Sequence, residues 1–245
     1  YVASFLERCV ANNGMFLWGN HYYWDAFAGQ PLTFRGSEDP HPVDPDTEAG
    51  EVHETRPIPA AWELFERVSP DATEAGIRAY ATHSLFDAEA GGFNRHADGH
   101  RGCAFLEAGG ILVESLAWLA ARTGDAELVD QADRIVDFSF RHRNEQTGLL
   151  ENNPTVRRWD KFACTTEVGL WGGCLLRAAG RSGDRQDWVD KAAAAVSAFL
   201  GHGFDASAGR FWGRLRVADG TPILGEGATE ADNEQSLTHQ PGDYA

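Results

Sequence analysis

The feature that most constrains the fold is an internal repeat of helical hairpins. Helix-periodic segments come in pairs joined by short turns, Thr123-Gly124-Asp125 and Ser182-Gly183-Asp184, whose glycines lie 59 residues apart. A second series of turns follows the pairs, with glycines at positions 91, 148 and 209, spaced by 57 and 61 residues. Such periods are typical of repeated supersecondary units. The sequence therefore predicts stacked α-hairpins, each with a short turn at one end and a longer loop rich in glycine and aromatic residues at the other.

Apolar periodicity and helix-stop signals place seven helices along the chain. The predicted helices span Val2–Val10, Pro57–Val68, Ser69–Leu85, Cys103–Arg122, Asp125–Phe140, Thr165–Gly180 and Trp188–Leu200. The hairpin period exceeds that of tetratricopeptide solenoids, about 34 residues, and the loops that carry polar and aromatic side chains all follow the same end of the hairpins. We therefore predict an all-α fold, an α/α toroid around a central cleft. Residues 1–245 are expected to form one domain, an incomplete toroid truncated at both ends, with an exposed loop excursion at residues 30–50.

Charge and composition exclude several classes of partner. The net charge is −16, which disfavours nucleic-acid binding because phosphate contacts need clustered lysine and arginine. No apolar run approaches eighteen residues, so no membrane span is predicted. The four cysteines, Cys9, Cys103, Cys164 and Cys174, lack paired spacing and are expected to be free thiols. Nothing in the sequence indicates the compartment.

Three of the non-helical loops contain side chains that bind metals. His21, Glu54 and His96 come from separate loops, with His53 beside the second of them. Imidazole together with carboxylate suits a divalent transition metal, and a toroid would bring these loops to one rim. The alternative for each histidine is an ordinary surface or hydrogen-bonded loop residue.

Aromatic and basic residues accompany these loops and suggest an acidic sugar ligand. Aromatic side chains in a cleft offer flat faces to sugar rings, and arginine can hold a carboxylate with two parallel hydrogen bonds. The predicted substrate-binding residues are Trp18, Tyr23, Trp24, Arg56, Arg157, Arg158, Lys161 and Trp212. Core packing of the aromatics and helix-flanking charge are the alternatives. The expected partner is an acidic oligo- or polysaccharide.

Three short motifs resemble the family 2 polysaccharide lyases, which are pectate lyases, often disaccharide-releasing, built on an α/α barrel. The motifs are Trp18-Gly19-Asn20-His21, Val52-His53-Glu54 and Phe93-Asn94-Arg95-His96. The resemblance implies that His21, Glu54 and His96 hold a divalent transition metal, manganese first, with nickel or cobalt as alternatives. It also implies that Arg95 is the catalytic base. The chain departs from the pattern at Asn20, where glycine is expected, and in the excursion at residues 30–50.

The resemblance implies β-elimination on a 4-linked uronate. Metal and arginine would neutralise the substrate carboxylate while Arg95 removes the proton at C5. A glycoside hydrolase or a sugar epimerase on the same kind of toroid, or a non-catalytic glycan-binding toroid, are the alternatives. A hydrolase needs paired carboxylates, for which Asp25, Glu54, Glu151, Asp160 and Glu167 are candidates.

Overall fold

Helices dominate the described part of the chain. The computed structural model describes residues 1–11, 13–16, 22–33, 41–42, 61–95, 104–154, 161–183 and 185–223. The helices are α1 (Val2–Arg8), α2 (Trp62–Val68), α3 (Pro70–His83), α4 (Leu106–Thr123), α5 (Ala126–Arg141), α6 (Thr165–Arg181) and α7 (Gln186–Gly203). Each predicted helix is found among the described residues, with its ends shifted by a few positions. The predicted segment 57–68 is helical from Trp62.

Short antiparallel strands connect the helices. They are β1 (Tyr22–Asp25), β2 (Gln30–Thr33), β3 (His41–Pro42), β4 (Leu85–Asp87), β5 (Gly92–Phe93), β6 (Ala163–Cys164), β7 (Phe204–Asp205), β8 (Arg210–Phe211) and β9 (Arg214–Leu215). The pairs β4–β5 and β7–β8 are hairpins that follow α3 and α7, and β6 pairs with β9. The first three strands form a separate sheet in the order β1–β2–β3.

Helix α4 is the centre of the core. Fifteen of its 18 residues are buried, so it is covered on every side rather than along one stripe. Two glycines allow this close packing: a Cβ built at Gly109 would lie 2.5 Å from Phe93, and one built at Gly110 would lie 2.8 Å from the Cα of Trp171 in α6. The backbones of α4 and α6 therefore approach closely where Gly110 faces Trp171.

The helices α5 and α7 are amphipathic partners of α4 and α6. On α5 the buried face consists of Leu128, Ala132, Ile135, Val136 and Ser139. Each pair is joined by a turn whose glycine has a positive φ, 72° at Gly124 and 79° at Gly183. Both turns follow the carboxyl ends of α4 and α6, and they border a common pocket. The two short turns thus share one end of the structure, as the repeat predicts.

The longer loops share a turn with a common hydrogen-bond pattern. Glycines 91, 148 and 209 have φ values of 75°, 74° and 63°. An Asp or Asn four residues earlier accepts backbone N–H bonds across each turn, at 2.9 Å for Asp87, 2.9 Å for Asn144 and 3.0 Å for Asp205. The sequence repeat is therefore a structural repeat at both ends of the hairpins.

Gly14 is an earlier member of this series that the spacing conceals. Its φ is 85°, and a Cβ there would lie 3.2 Å from the Cβ of Ala79 in α3. Gly148 has the matching relation to Ala198 in α7, at 3.1 Å. Gly14 and Gly91 are 77 residues apart, because the sheet β1–β2–β3 is inserted between them. The predicted excursion at residues 30–50 is thus not wholly exposed: its described part forms β2 and β3, and Leu32 is buried.

A buried carboxylate ties α4 to α6 near the short-turn end. Glu114 accepts hydrogen bonds from Nε and Nη2 of Arg177, both at 2.8 Å, and from Nη1 of Arg181 at 2.9 Å. Burial alone would raise the pKa of Glu114, but the hydrogen bonds and charge of the two arginines outweigh it and hold the pKa below its usual value. Such an ion pair resists removal of one partner more than it adds net stability.

Two further expectations concern thiols and membranes. Cys9, Cys164 and Cys174 are free, as predicted, while Cys103 lies outside the described residues. None of the helices described has the length and apolar character needed to cross a bilayer.

Candidate functional site

The amino ends of α4 and α6 lie side by side under the long loops. The backbone N–H of Leu106 donates to the carbonyl of Asn152 at 2.9 Å, so the loop after α5 reaches the start of α4. The N–H of Thr165 donates to the carbonyl of Gly213 at 3.0 Å, so the loop after α7 reaches the start of α6. We call residues 94–95, 105–107, 151–154, 161–167 and 212–216 the loop rim.

Two glutamates from the first turns of these helices meet at the loop rim. The carboxylate Oε2 of Glu167 accepts the backbone N–H of Glu107 at 3.2 Å. Glu107 itself is 3% exposed, and Glu167 is partly exposed. The N–H groups at a helix start are unsatisfied within the helix and attract negative charge. The arrangement places an anion-stabilising helix end and two carboxyl groups together, one buried and one open to solvent.

Sequence reasoning named Glu167 as a candidate but missed Glu107. The two residues are 60 positions apart, close to the hairpin period, and each lies in the first turn of its helix. An acidic residue recurring at the same place in successive repeats was the signal that could have found the pair.

Three of the predicted site residues lie on the loop rim. The guanidinium of Arg95 stacks on the ring of Phe105 at 4.5 Å. Lys161 donates to Glu151 at 3.3 Å and to the carbonyl of Pro154 at 3.1 Å. Trp212 is partly exposed, and the carbonyl of this residue accepts from the Thr165 hydroxyl at 3.2 Å. These contacts fix the positions of the three residues; their roles toward a ligand stay predictions.

A pocket of about 460 Å³ opens beside the Lys161–Glu151 ion pair. Its lining combines charged, amide and apolar side chains: Asn144, Glu151, Lys161, Phe162, Arg216, Val217, Ala218 and Ile223. The guanidinium of Arg214 lies over the Phe162 ring at 4.7 Å. The half-buried His142 is close enough to feel the charges of Glu151 and Lys161, and burial lowers its pKa despite the opposing effect of Glu151. At neutral pH His142 therefore adds no charge beside this pocket.

Other predicted residues belong to the inserted sheet. Tyr23 and Trp24 are in β1, opposite Leu32 and Pro31 of β2. Trp24 packs near α1, with the guanidinium of Arg8 5.8 Å from its ring centroid. The Asp25 carboxylate, one of the candidates for acid–base work, accepts the N–H groups of residues 27 and 28 at 2.7 and 3.1 Å. The Asp25 carboxylate thus supports a turn.

The predicted metal ligands cannot be placed. His21, Glu54 and His96 lie outside the described residues, as do Trp18, Arg56, Arg157, Arg158, His53 and Asp160. Within the part of the chain that is described, no group of three or more His, Cys, Asp or Glu side chains could hold a metal ion. The divalent metal stays a prediction, and the chemistry proposed for the described residues does not use it.

Comparison with known proteins identifies the fold. No family model matches the chain, and no curated protein matches it. An α-mannanase of glycoside hydrolase family 76 from Bacteroides thetaiotaomicron is 14% identical with a TM-score of 0.53, over 72% of this chain and 46% of that chain. A cellobiose 2-epimerase from Spirochaeta thermophila is 18% identical with a TM-score of 0.50, over 75% and 46%. A D-mannose isomerase is 15% identical with a TM-score of 0.50, over 66% and 45%.

These comparisons overturn the resemblance to family 2 polysaccharide lyases. The matching structures are of the glycosidase and epimerase type, so the lyase function and the pectate-lyase class inferred from the motifs are wrong. The base role of Arg95 belonged to that mechanism and falls with it. Short loop motifs of histidine, asparagine and arginine carry little specificity, and one fold hosts many chemistries.

The fold prediction itself is confirmed. At these identities the likeness establishes architecture alone, and the chain spans about half the length of the solved structures it matches. Helical hairpins, short turns at one end and long loops at the other make this chain an α/α toroid fold.

Proposed function

We propose that this chain carries the catalytic carboxylates of a glycoside hydrolase, with Glu107 and Glu167 as the pair. The observation that carries the proposal is the contact between the Glu167 carboxylate and the first turn of α4, next to the buried Glu107. Solved structures of the same fold that act on carbohydrates support it, among them an α-mannanase and a family 105 glycoside hydrolase from C. acetobutylicum. Hydrolysis of a glycosidic bond requires two carboxyl groups with different protonation.

The surroundings of the two glutamates suit different roles. A hydrogen bond from a backbone N–H at a helix start favours the ionised carboxylate at Glu167. Burial favours the neutral acid at Glu107. Glu107 would therefore donate a proton to the leaving glycosidic oxygen, and Glu167 would act on the anomeric carbon, directly or through a water.

The substrate in this proposal is an oligo- or polysaccharide. Partly exposed Trp212 on the loop rim offers an aromatic face to a sugar ring. Whether the glycan is acidic, as the sequence predicts, depends on the charge of the pocket beside the carboxylate pair.

The test is Glu167→Gln assayed for release of reducing ends from a panel of glycans. An amide oxygen can still accept the Glu107 N–H, so the fold should be kept while kcat falls by about 100-fold or more. Glu66→Gln is the matched control: Glu66 pairs with Arg122 at 2.9 Å far from the loop rim, with 38% of its side chain exposed, and activity should be unchanged. Reducing ends should appear without near-ultraviolet absorbance.

Two outcomes would contradict the proposal. Near-normal turnover by Glu167→Gln, on a glycan that the unmodified protein hydrolyses, would remove Glu167 from the mechanism. Conversion of a sugar to its epimer or isomer, with no new reducing ends from any glycan, would identify a different reaction on this fold.

A further inference from the structure

We propose that the pocket beside the carboxylate pair is a saccharide subsite that takes an uncharged sugar unit through adjacent hydroxyls, with Lys161 donating and Glu151 accepting. The inference rests on the proposed function, which it extends from reaction type to substrate class. It also departs from the acidic glycan that the sequence predicts.

The polar wall of the pocket can bind two neighbouring hydroxyls at once. The Lys161 ammonium has three N–H donors, and its contacts with Glu151 and the Pro154 carbonyl, at 3.3 and 3.1 Å, use two of them. A carboxylate accepts about four hydrogen bonds, more than the single ammonium contact requires. Donor and acceptor therefore stand side by side at the spacing of an ion pair, which suits a vicinal diol.

The rest of the lining suits the apolar face of a sugar ring. Phe162, Val217 and Ile223 border the same pocket. A volume of about 460 Å³ lies within the usual range for small-ligand sites, about 300–1,000 Å³. The pocket is therefore large enough for a sugar unit.

The balance of charge argues against a uronate. Lys161 is paired with Glu151. Arg216 is close to Asp219, whose pKa is lowered mainly by hydrogen bonds from Thr221 and further by the Arg216 charge. Each cation at the pocket thus has a carboxylate neighbour, and the net charge of −16 repels anions at long range. A sugar carboxylate would meet Glu151 without an uncompensated cation to hold it.

The pocket and the carboxylate pair are joined by one backbone segment. The N–H of Asn152 donates to the carbonyl of Phe162 at 2.8 Å, and its carbonyl accepts from Leu106 at the start of α4. The Asn152 side chain is 3% exposed, and its Oδ1 has no hydrogen-bond partner among the described residues. A sugar unit in the pocket would thus neighbour the unit held between Glu107 and Glu167.

The experiment measures oligosaccharide binding by titration calorimetry in the full protein carrying Glu167→Gln. The probes are matched pairs, galactotetraose with tetragalacturonate and mannotetraose with tetramannuronate. We expect at least one neutral member to bind and its uronate counterpart to bind about tenfold more weakly or worse. Lys161→Met and Glu151→Gln should each weaken the neutral ligand by about tenfold or more, the range for a hydrogen bond to a charged group.

One signature separates recognition from a merely structural role. Glu151→Gln should weaken the neutral ligand while strengthening the uronate, because it removes an acceptor and a repelling charge together. Lys191→Met is the matched control, since Lys191 pairs with Asp137 on the outer helices, and it should leave both affinities unchanged.

The inference is overturned if the uronate binds more tightly than its neutral partner, if Lys161→Met and Glu151→Gln leave the Kd unchanged, or if no probe binds. Its failure is distinct from failure of the proposed function, because turnover and binding are read separately. Loss of turnover in Glu167→Gln with normal binding by Lys161→Met would sink only the subsite. Persistent turnover in Glu167→Gln with weakened binding by Lys161→Met would sink only the catalytic pair.

Discussion

The substitution Gly110→Ala tests whether the close approach of α4 and α6 holds the loop rim together. A Cβ at Gly110 would lie 2.8 Å from the Cα of Trp171 and 3.3 Å from the Cβ of Cys174. Carbon atoms pack at about 3.5–4.0 Å, so the α6 backbone would have to retreat by roughly 1 Å. Trp171 and Cys174 are fully buried, so the core leaves α6 little room to move.

Two opposing effects set the magnitude. Alanine improves helix propensity by about 1 kcal/mol over glycine, whereas overpacking a core costs about 1–3 kcal/mol. Because the clash is with backbone rather than with a flexible side chain, we expect the upper part of that range and a net loss of about 1–2 kcal/mol in the free energy of unfolding. For a domain of this size the melting temperature should fall by roughly 2–8 °C.

The assay is thermal and urea unfolding followed by circular dichroism, with Gly201→Ala in α7 as the control. A Cβ at Gly201 meets no atom within 4 Å, so this variant should match or exceed the unmodified protein in stability. Gly110 lies one turn beyond Glu107, so Gly110→Ala should also lower turnover by spreading the two glutamates. Equal stabilisation by both alanines would refute the packing argument.

Two further predictions concern a buried charge and a turn glycine. Glu114→Gln should lose about 1–3 kcal/mol at neutral pH by leaving the two arginines without their carboxylate; the exposed pair of Glu74 makes Glu74→Gln a control worth under about 1 kcal/mol. Because the folded pKa of Glu114 is lowered from 4.5, this contribution is complete above about pH 4.5 and is lost as pH falls through the folded pKa. The gap between wild type and Glu114→Gln in urea midpoints should therefore close in acid, and a constant gap would contradict the assignment. Gly91→Ala, where a Cβ would collide with the backbone carbonyl of Arg134, should be far more destabilising than Gly29→Ala, which shares the positive φ but meets no atom within 4 Å; equal losses in melting temperature would show that φ alone is responsible.

The candidate site shows how far sequence reasoning reached. Lys161, Trp212 and Glu167 were identified from residue type and loop position, and all three lie on the loop rim. Glu107 was missed because a glutamate in the first turn of a helix is also an ordinary response to the helix dipole. Asp25 was a candidate for chemistry, but its carboxylate supports the turn at Gly29. Nothing local distinguishes these carboxylates, since their roles depend on what the remainder of the chain brings beside them.

The sequence by itself determined the helices, the hairpin repeat and the turns. These depend on interactions within a few residues: apolar spacing along a helix, the left-handed backbone that favours glycine at 91 and 148, and side-chain caps such as Asp125. Tertiary structure alone decided the rest. It set the burial of α4 on all sides, the insertion that separates Gly14 from its series, and the contact of Glu107 with Glu167 across 60 residues. Periodicity fixes which face of a helix is apolar, but only packing decides which two helix ends meet, because that contact depends on the volume of every side chain between them.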